Sequence, residues 1–382
     1  MTLRRVAYFF LILVAFLVSQ ISPAYFAFGF AALFWLLAMR RARSVSPSIA
    51  SWPVAVAFLY ATLVVLSTIF SRDPAASARH VAGLSLLLML PMTMDLADTT
   101  ERARLLFYAI AANSVILSWI GFWQFAHGGN DMEKRIMATL SHWMTFSGLA
   151  MIAGCLLLGF LLEDRGRERW IGALAVFPLA AMVLTFTRSA WVGTLLAILV
   201  YLAVRKPRGL LIFVPALLAV FFLLPPAIRA RAASIGSLDE RTNRDRIAMV
   251  HAGVRMVRES PVFGIGPEMV KRYYTLYRDP DAPQWEQPHL HDNILQTAAA
   301  SGLFAAAAYL ALMFLFFARA ISLLRRETDP RRAALLAGAL LAGIALFVAG
   351  FFEYNWGDTE VEMATLIVLA IPFSGGLRQG VR

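Results

Sequence analysis

Apolar runs long enough to cross a bilayer as helices, roughly 17–25 residues each, recur along almost the whole chain. They fall near residues 6–20, 22–39, 52–70, 80–94, 105–125, 142–162, 170–187, 190–204, 209–224, 293–317, 333–352 and 361–373. The pattern therefore predicts an all-α integral membrane protein with about twelve transmembrane helices. The first run is not read as a cleaved signal. Its apolar core is long, it lacks a small-x-small site, and a second span follows at once. The alternation breaks on a large scale only once. Three regions follow: helices 1–9 in residues 1–225, a polar loop with short helices in 226–290, and helices 10–12 in 291–382.

Composition agrees, since 59% of the 382 residues are apolar and 15% are charged. Basic residues fix the orientation. With the N-terminus in the cytoplasm, that side collects Arg4, Arg5, Arg40, Arg41, Arg43, Arg205, Lys206, Arg208, Arg325, Arg326, Arg331 and Arg332. The short loops opposite carry only Arg72, Arg79, Lys134, Arg135 and Arg188. The 226–290 loop is thus placed outside the cytoplasm, together with the turns at Arg188 and at 353–360. The net charge of +11 is mostly this topological signal, so nucleic acid is not expected as a partner. The single cysteine, Cys155, lies in an apolar run, so packing rather than disulfides must hold the loop.

Within the loop, Ser237 or Asp239 can cap a helix starting near Arg241. Ile247, Val250, Val254 and Val257 then form one apolar stripe, expected to lie on the membrane domain with Arg244, Arg246 and His251 on its flanks. Ser260-Pro261 ends this helix. The Phe263-Gly264-Ile265-Gly266-Pro267 turn precedes a short helix over 268–277, and residues 279–288 carry three prolines and no regular period.

Candidate chemistry concentrates at this exported side. A polar loop rich in Arg and His, in an otherwise lipid-facing chain, suits gripping a phosphate-bearing lipid and moving a proton. The simplest alternative is an amphipathic helix resting on anionic headgroups. Arg188, at the start of a span, must be solvated or paired. It either snorkels beside Trp191 or offers its guanidinium fork to a diphosphate. His289 and His291 flank Leu290 where a span begins, with Asp292 or Asn293 as cap. A helix start disfavours charged imidazole, and a neutral imidazole can act as a general base. A zinc site is the rival, but no third strong ligand stands at recognisable spacing, so neither metal nor cofactor is expected. His80, His127, His142 and His251 are read as interfacial or packing residues. Glu353, Asp358 and Glu360 form an acidic exported turn, either solvated, partnering the loop arginines, or walling an acceptor site.

Taken in order, several motifs resemble those of the O-antigen ligase and O-antigen polymerase superfamily of bacterial inner-membrane glycosyltransferases. They are Thr187-Arg188-Ser189-Ala190-Trp191, Asn243-Arg244-Asp245-Arg246-Ile247-Ala248-Met249, Glu259-Ser260-Pro261-Val262-Phe263-Gly264-Ile265-Gly266-Pro267 and His289-Leu290-His291-Asp292-Asn293-Ile294-Leu295-Gln296, with Ser301-Gly302-Leu303 following. Order and spacing agree over residues 185–309.

The resemblance is strongest to O-antigen ligase. It implies periplasmic transfer of a glycan from undecaprenyl diphosphate to a sugar hydroxyl of lipid A-core, metal-independent and inverting. It assigns diphosphate binding to Arg188 and Arg246, with Arg244 as neighbour, and the catalytic base to His291. His289, Asp292, Asn293 and Glu353 are secondary candidates. The chain departs in reading His-Asp-Asn where the family reads His-Asn-Asn, and in having Val250 where Trp is common. O-antigen polymerase and protein O-oligosaccharyltransferase are alternatives with the same donor. A polyprenyl-glycan transporter is the alternative of another class; it predicts charged or broken mid-membrane helices, which the runs do not suggest.

Overall fold

The computed structural model describes residues 2–378, apart from 45, 129–133, 165, 167 and 238. It is all-helical. The order begins α1 (Leu3–Phe16), α2 (Ile21–Ala42), α3 (Trp52–Ile69), α4 (Pro74–Val81), α5 (Met89–Leu96), α6 (Thr100–Ala126) and α7 (Trp143–Glu163). It continues with α8 (Glu168–Ala173), α9 (Val176–Leu184), α10 (Arg188–Arg205) and α11 (Leu210–Leu223). The loop holds α12 (Pro226–Ala233), α13 (Arg241–Glu259) and α14 (Met269–Tyr277). The chain returns through α15 (Asn293–Ser301), α16 (Leu303–Arg326), α17 (Pro330–Ala349) and α18 (Thr359–Ala370).

Among the described residues, nine helical stretches are long and apolar enough to span a membrane, or ten if the bent pair formed by α11 and the helices after it counts as one. The expected number was about twelve, and the shortfall has local causes. Helix α1 has 14 residues and reaches only about 21 Å. The run at 170–187 divides into α8 and α9. Gly172 lies so close to α7 that a Cβ would come within 2.3 Å of the Leu161 nitrogen. Helix α11 also has 14 residues, contains Pro215, and stops before Pro225-Pro226.

Helices α7, α17 and α18 form the buried centre of the bundle. Small residues let the backbones approach, since lipid tails leave close packing as the main attraction between spans. A Cβ on Gly159 of α7 would lie 2.4 Å from the Ala334 oxygen and from the Gly338 nitrogen of α17. The outer faces carry exposed Phe26, Trp52, Trp170 and Phe314, as a lipid-facing surface should.

The expected span at 293–317 is broken at Gly302, whose φ of +89° suits glycine. A Cβ there would meet the Val262 oxygen at 2.0 Å. Around this break the 261–266 turn is sewn to α15. Ile265 N–H donates to Ala299 O at 2.9 Å, Gly266 N–H to Ala300 O at 3.0 Å, and Leu303 N–H to Pro261 O at 2.8 Å. The turn thus fixes the direction of α15, and with it the segment 289–292 just upstream.

Helix α13 corrects the sequence reading in two respects. Its cap is Glu240, whose carboxylate accepts from Asn243 N–H at 3.1 Å, rather than Ser237 or Asp239. Its buried face is Ala248, Met249, Ala252, Gly253 and Met256, whereas Ile247 and Val250 are exposed. The small residues win the inner face because α13 lies close on Leu290 and Leu295: a Cβ on Gly253 would stand 2.8 Å and 2.7 Å from their side chains.

Candidate active site

His291 occupies a left-handed backbone conformation, φ +51°, which a non-glycine residue adopts at a cost of order 1–3 kcal/mol. This kink turns the chain into α15, whose cap is Asp292, accepting from Leu295 N–H at 2.7 Å. Burial raises the Asp292 carboxyl above its ordinary value, against the pull of the Leu295 and Ile294 amides. His291 Nδ1 lies 3.0 Å from Glu353 Oε1. A carboxylate only accepts, so the shared proton belongs on Nδ1 and Nε2 of the neutral ring keeps its lone pair. Glu353 is buried, and its other oxygen, Oε2, has no hydrogen-bond partner. Burial alone would raise this carboxyl. His291, His289 and Arg246 more than offset that and hold it below its ordinary value.

Asn293 ties the two segments together. Its N–H donates to Gly350 O at 2.7 Å, its Oδ1 accepts from Trp356 N–H at 3.0 Å, and its Nδ2 donates to Tyr309 OH at 3.3 Å. His289 packs beside His291, the ring centroids 4.2 Å apart. Burial, then the neighbouring His291, push the His289 imidazole down to about 4.

Arg188 is buried and fully engaged by the loop. Nη1 donates to Ser234 O at 2.8 Å and Oγ at 2.9 Å; Nη2 donates to Thr242 Oγ1 and Asn243 Oδ1 at 2.8 Å and to Glu240 Oε2 at 3.1 Å. It is neither snorkelled nor solvated. Glu240 also accepts from Arg231 at 2.8 Å. Burial would raise its carboxyl, but Thr242, Arg231 and Arg188 pull it down to about 2.

Arg246 donates to Phe352 O at 3.1 Å and lies over the Phe352 ring. Burial, and then Arg188 and Arg231, lower its pKa against the opposing pull of Glu353. Its charge is therefore costly here, a cost that a bound anion would relieve.

Two cavities meet at this point. One, of about 480 Å³, is polar and lined by Arg135, His142, Arg231, Asp245, Gln284, Gln287, His289 and Glu353 among others. The second, of about 370 Å³, has mostly apolar walls from Val192, Ile235, Ile247, Val250, Phe351 and Phe352, with Arg188 on its lining. Arg246 and His291 line both. The exposed Ile247 and Val250 therefore have a use: they face this second cavity.

The structure brings together Arg188, Arg246, His289, His291 and Glu353, with Asp292 and Asn293 as framework. Arg244 is different: it is exposed and lines neither cavity. His142, read as an interfacial or packing residue, lines the polar cavity at the N-terminus of α7. Arg135 and Arg231 join it there, and Arg135 lies over the Trp143 ring at 4.9 Å. The one available signal for these was their predicted location on the exported side. The sequence also hid the third arm of a possible metal group. His289, His291 and Glu353 each place a ligand atom within 4.8 Å of the others, so the cluster has the donor set for a divalent ion.

Residues 173–310 match the family model described as O-antigen ligase. The resemblance carried by the motifs is borne out over this stretch, which is less than half of the chain. It runs from the end of α8 into α16 and contains Arg188, Arg246, His289 and His291, but stops before Glu353. No curated protein matches the sequence.

Proposed function

We propose that the protein is an O-antigen ligase of the bacterial inner membrane, transferring a glycan from undecaprenyl diphosphate to a sugar hydroxyl of lipid A-core in the periplasm. The observation that carries this reading is the junction at Arg246 and His291, where an apolar cavity and a polar one share two chemically suited residues. The apolar cavity takes the first isoprene units, and the diphosphate sits against Arg246 with the buried charge of Arg188 behind it. The glycan extends into the polar cavity.

In the transfer, the acceptor hydroxyl attacks the anomeric carbon from the face opposite the diphosphate, and its proton passes to His291 Nε2. The bond from that carbon to the diphosphate oxygen breaks, and the electron pair leaves on undecaprenyl diphosphate, so the anomeric centre inverts. The positioned base contributes about 10²–10⁴-fold. Fixed guanidinium groups stabilise the departing charge without solvent reorganisation, so the transfer needs no metal. Glu353 orients His291 and stabilises the imidazolium that forms.

The test is reconstitution of the purified protein with undecaprenyl diphosphate glycan and lipid A-core. Glycosylated lipid A-core is expected. Elongated lipid-linked glycan instead would make the protein a polymerase, and transbilayer movement of the donor without product would make it a transporter.

A further inference from the structure

Behind the catalytic cavity lies a third one, of about 420 Å³, built by other elements: the start of α2, the middle of α3, the end of α4 and the first turn of α18. Its walls include the rings of Tyr25, Tyr60, Tyr354 and Trp356. Tyr60 OH accepts from Trp356 Nε1 at 3.1 Å, which fixes two of these rings. Glu362 also lines the cavity, and its carboxyl group has no hydrogen-bond partner among the described residues. At the other end stand His80, 3.6 Å from Glu268, and Arg79. Arg79 is exposed, and its side chain makes no ion pair or hydrogen bond among the described residues.

The partition between this cavity and the catalytic one is thin. Tyr354 and Gly357 line both. Gly357 lies flat on the Tyr354 ring, so close that a Cβ would reach within 2.0 Å of Cε1.

The mixture of groups is chemically specific. Aromatic faces with an unengaged carboxyl group suit a sugar ring, whose C–H face stacks and whose hydroxyls hydrogen-bond. An arginine with no partner among the described residues suits a phosphate, with His80, which Glu268 also faces, beside it. A transfer between two membrane-anchored reactants needs such a second access, because two lipid chains cannot thread one groove to reach the same histidine.

We propose that this third cavity holds the headgroup of the membrane-anchored acceptor, a phosphate-bearing glycolipid. The acceptor phosphate rests at Arg79 and His80, and its sugar stacks on the aromatic walls with hydroxyls to Glu362. The reactive hydroxyl passes Tyr354 to His291. This rests on the transfer reading above and adds to it where the acceptor docks.

The experiment uses the full chain in nanodiscs, with Arg79→Ala and Glu362→Gln. At saturating donor, each should raise KM for lipid A-core roughly tenfold, the loss expected for one charge-assisted contact, with kcat and donor KM little changed. Arg79 is exposed, so its loss does not threaten folding. Enzymatic removal of the acceptor phosphates should raise wild-type KM similarly and leave Arg79→Ala with no further effect. An unchanged acceptor KM, or a parallel rise in donor KM, overturns the assignment. Binding of lipid A-core alone, measured by thermophoresis, needs no transfer. Weakened binding in the variants without any transfer by the wild type would fail the ligase reading and keep the cavity; transfer by the wild type with unaffected variants would do the reverse.

Discussion

His291 and Glu353 are 62 positions apart, yet Nδ1 and Oε1 meet at 3.0 Å. The pairing sets which ring nitrogen is basic. His291→Ala is therefore expected to lower transfer by about 10²–10⁴-fold while donor binding persists. His289→Ala should lose less, because its imidazole makes no such pairing. Glu353→Gln keeps an acceptor for Nδ1–H but removes the charge facing a forming imidazolium, so kcat should fall with donor KM unchanged. Transfer rates with His291→Ala equal to wild type would remove the base assignment.

The two arginines should separate by experiment. Arg246→Lys keeps charge but loses the planar fork, and weaker donor binding with an intact fold is expected. Arg188→Ala removes five hydrogen bonds that hold the loop, although Glu240 keeps Arg231 as a partner, and a cost of roughly 1–3 kcal/mol is expected. It should loosen the loop as well as weaken the donor site. Limited proteolysis of the 226–290 segment reads the first effect and donor binding the second. Wild-type proteolysis with Arg188→Ala would contradict the structural role read from its five hydrogen bonds.

Acid should destabilise the protein through His289. Its folded imidazole titrates at about 4, whereas an unfolded histidine takes up its proton near about 6.5. Between those values the unfolded chain binds more protons, so stability is complete above about pH 6.5 and is lost as pH falls toward 4. Glu353, held below its ordinary carboxyl value, adds stability that disappears at still lower pH. Thermal unfolding midpoints measured from neutral to mildly acidic pH should fall, and His289→Gln should flatten that slope. Parallel slopes for the two proteins would refute the assignment.

Added zinc should inhibit. His289, His291 and Glu353 can close on a soft divalent ion, which would occupy the lone pair that the base needs. Chelator alone should leave the rate unchanged, and His289→Ala should blunt the inhibition by removing one ligand. Activity that is lost with chelator and restored by a divalent ion would instead show that the cluster works as a metal centre.

The sequence carried the membrane class and the local motifs well, because both are written in short-range pattern. Arg188, Arg246 and His291 sit in recognisable strings, and of the two caps expected for α15, Asp292 and Asn293, Asp292 is the one used. The number of spans was less legible. Apolarity alone cannot separate a crossing from α11, a 14-residue helix with an internal proline, or from the divided run of α8 and α9. The inner face of α13 was misread for a related reason: larger Val and Ile outweigh Ala and Gly in any apolar count, but close approach to α15 favours the small residues. His142, Arg135 and Arg231 reach the site only through the fold, and no spacing rule links them to His291.

The anchoring of Asn293 to Gly350, Trp356 and Tyr309 has a consequence for how the site can fail and recover. His291 and Glu353 are bolted to the bundle through Asn293, while Arg246 rides on α13 in the loop. On the proposed reading, a shift of α13 alone would move Arg246 away from His291 while the bonds of Asn293 keep the His291–Glu353 pair in place. On that reading, product release would need only α13 to shift, with His291 and Glu353 left set for the next turnover.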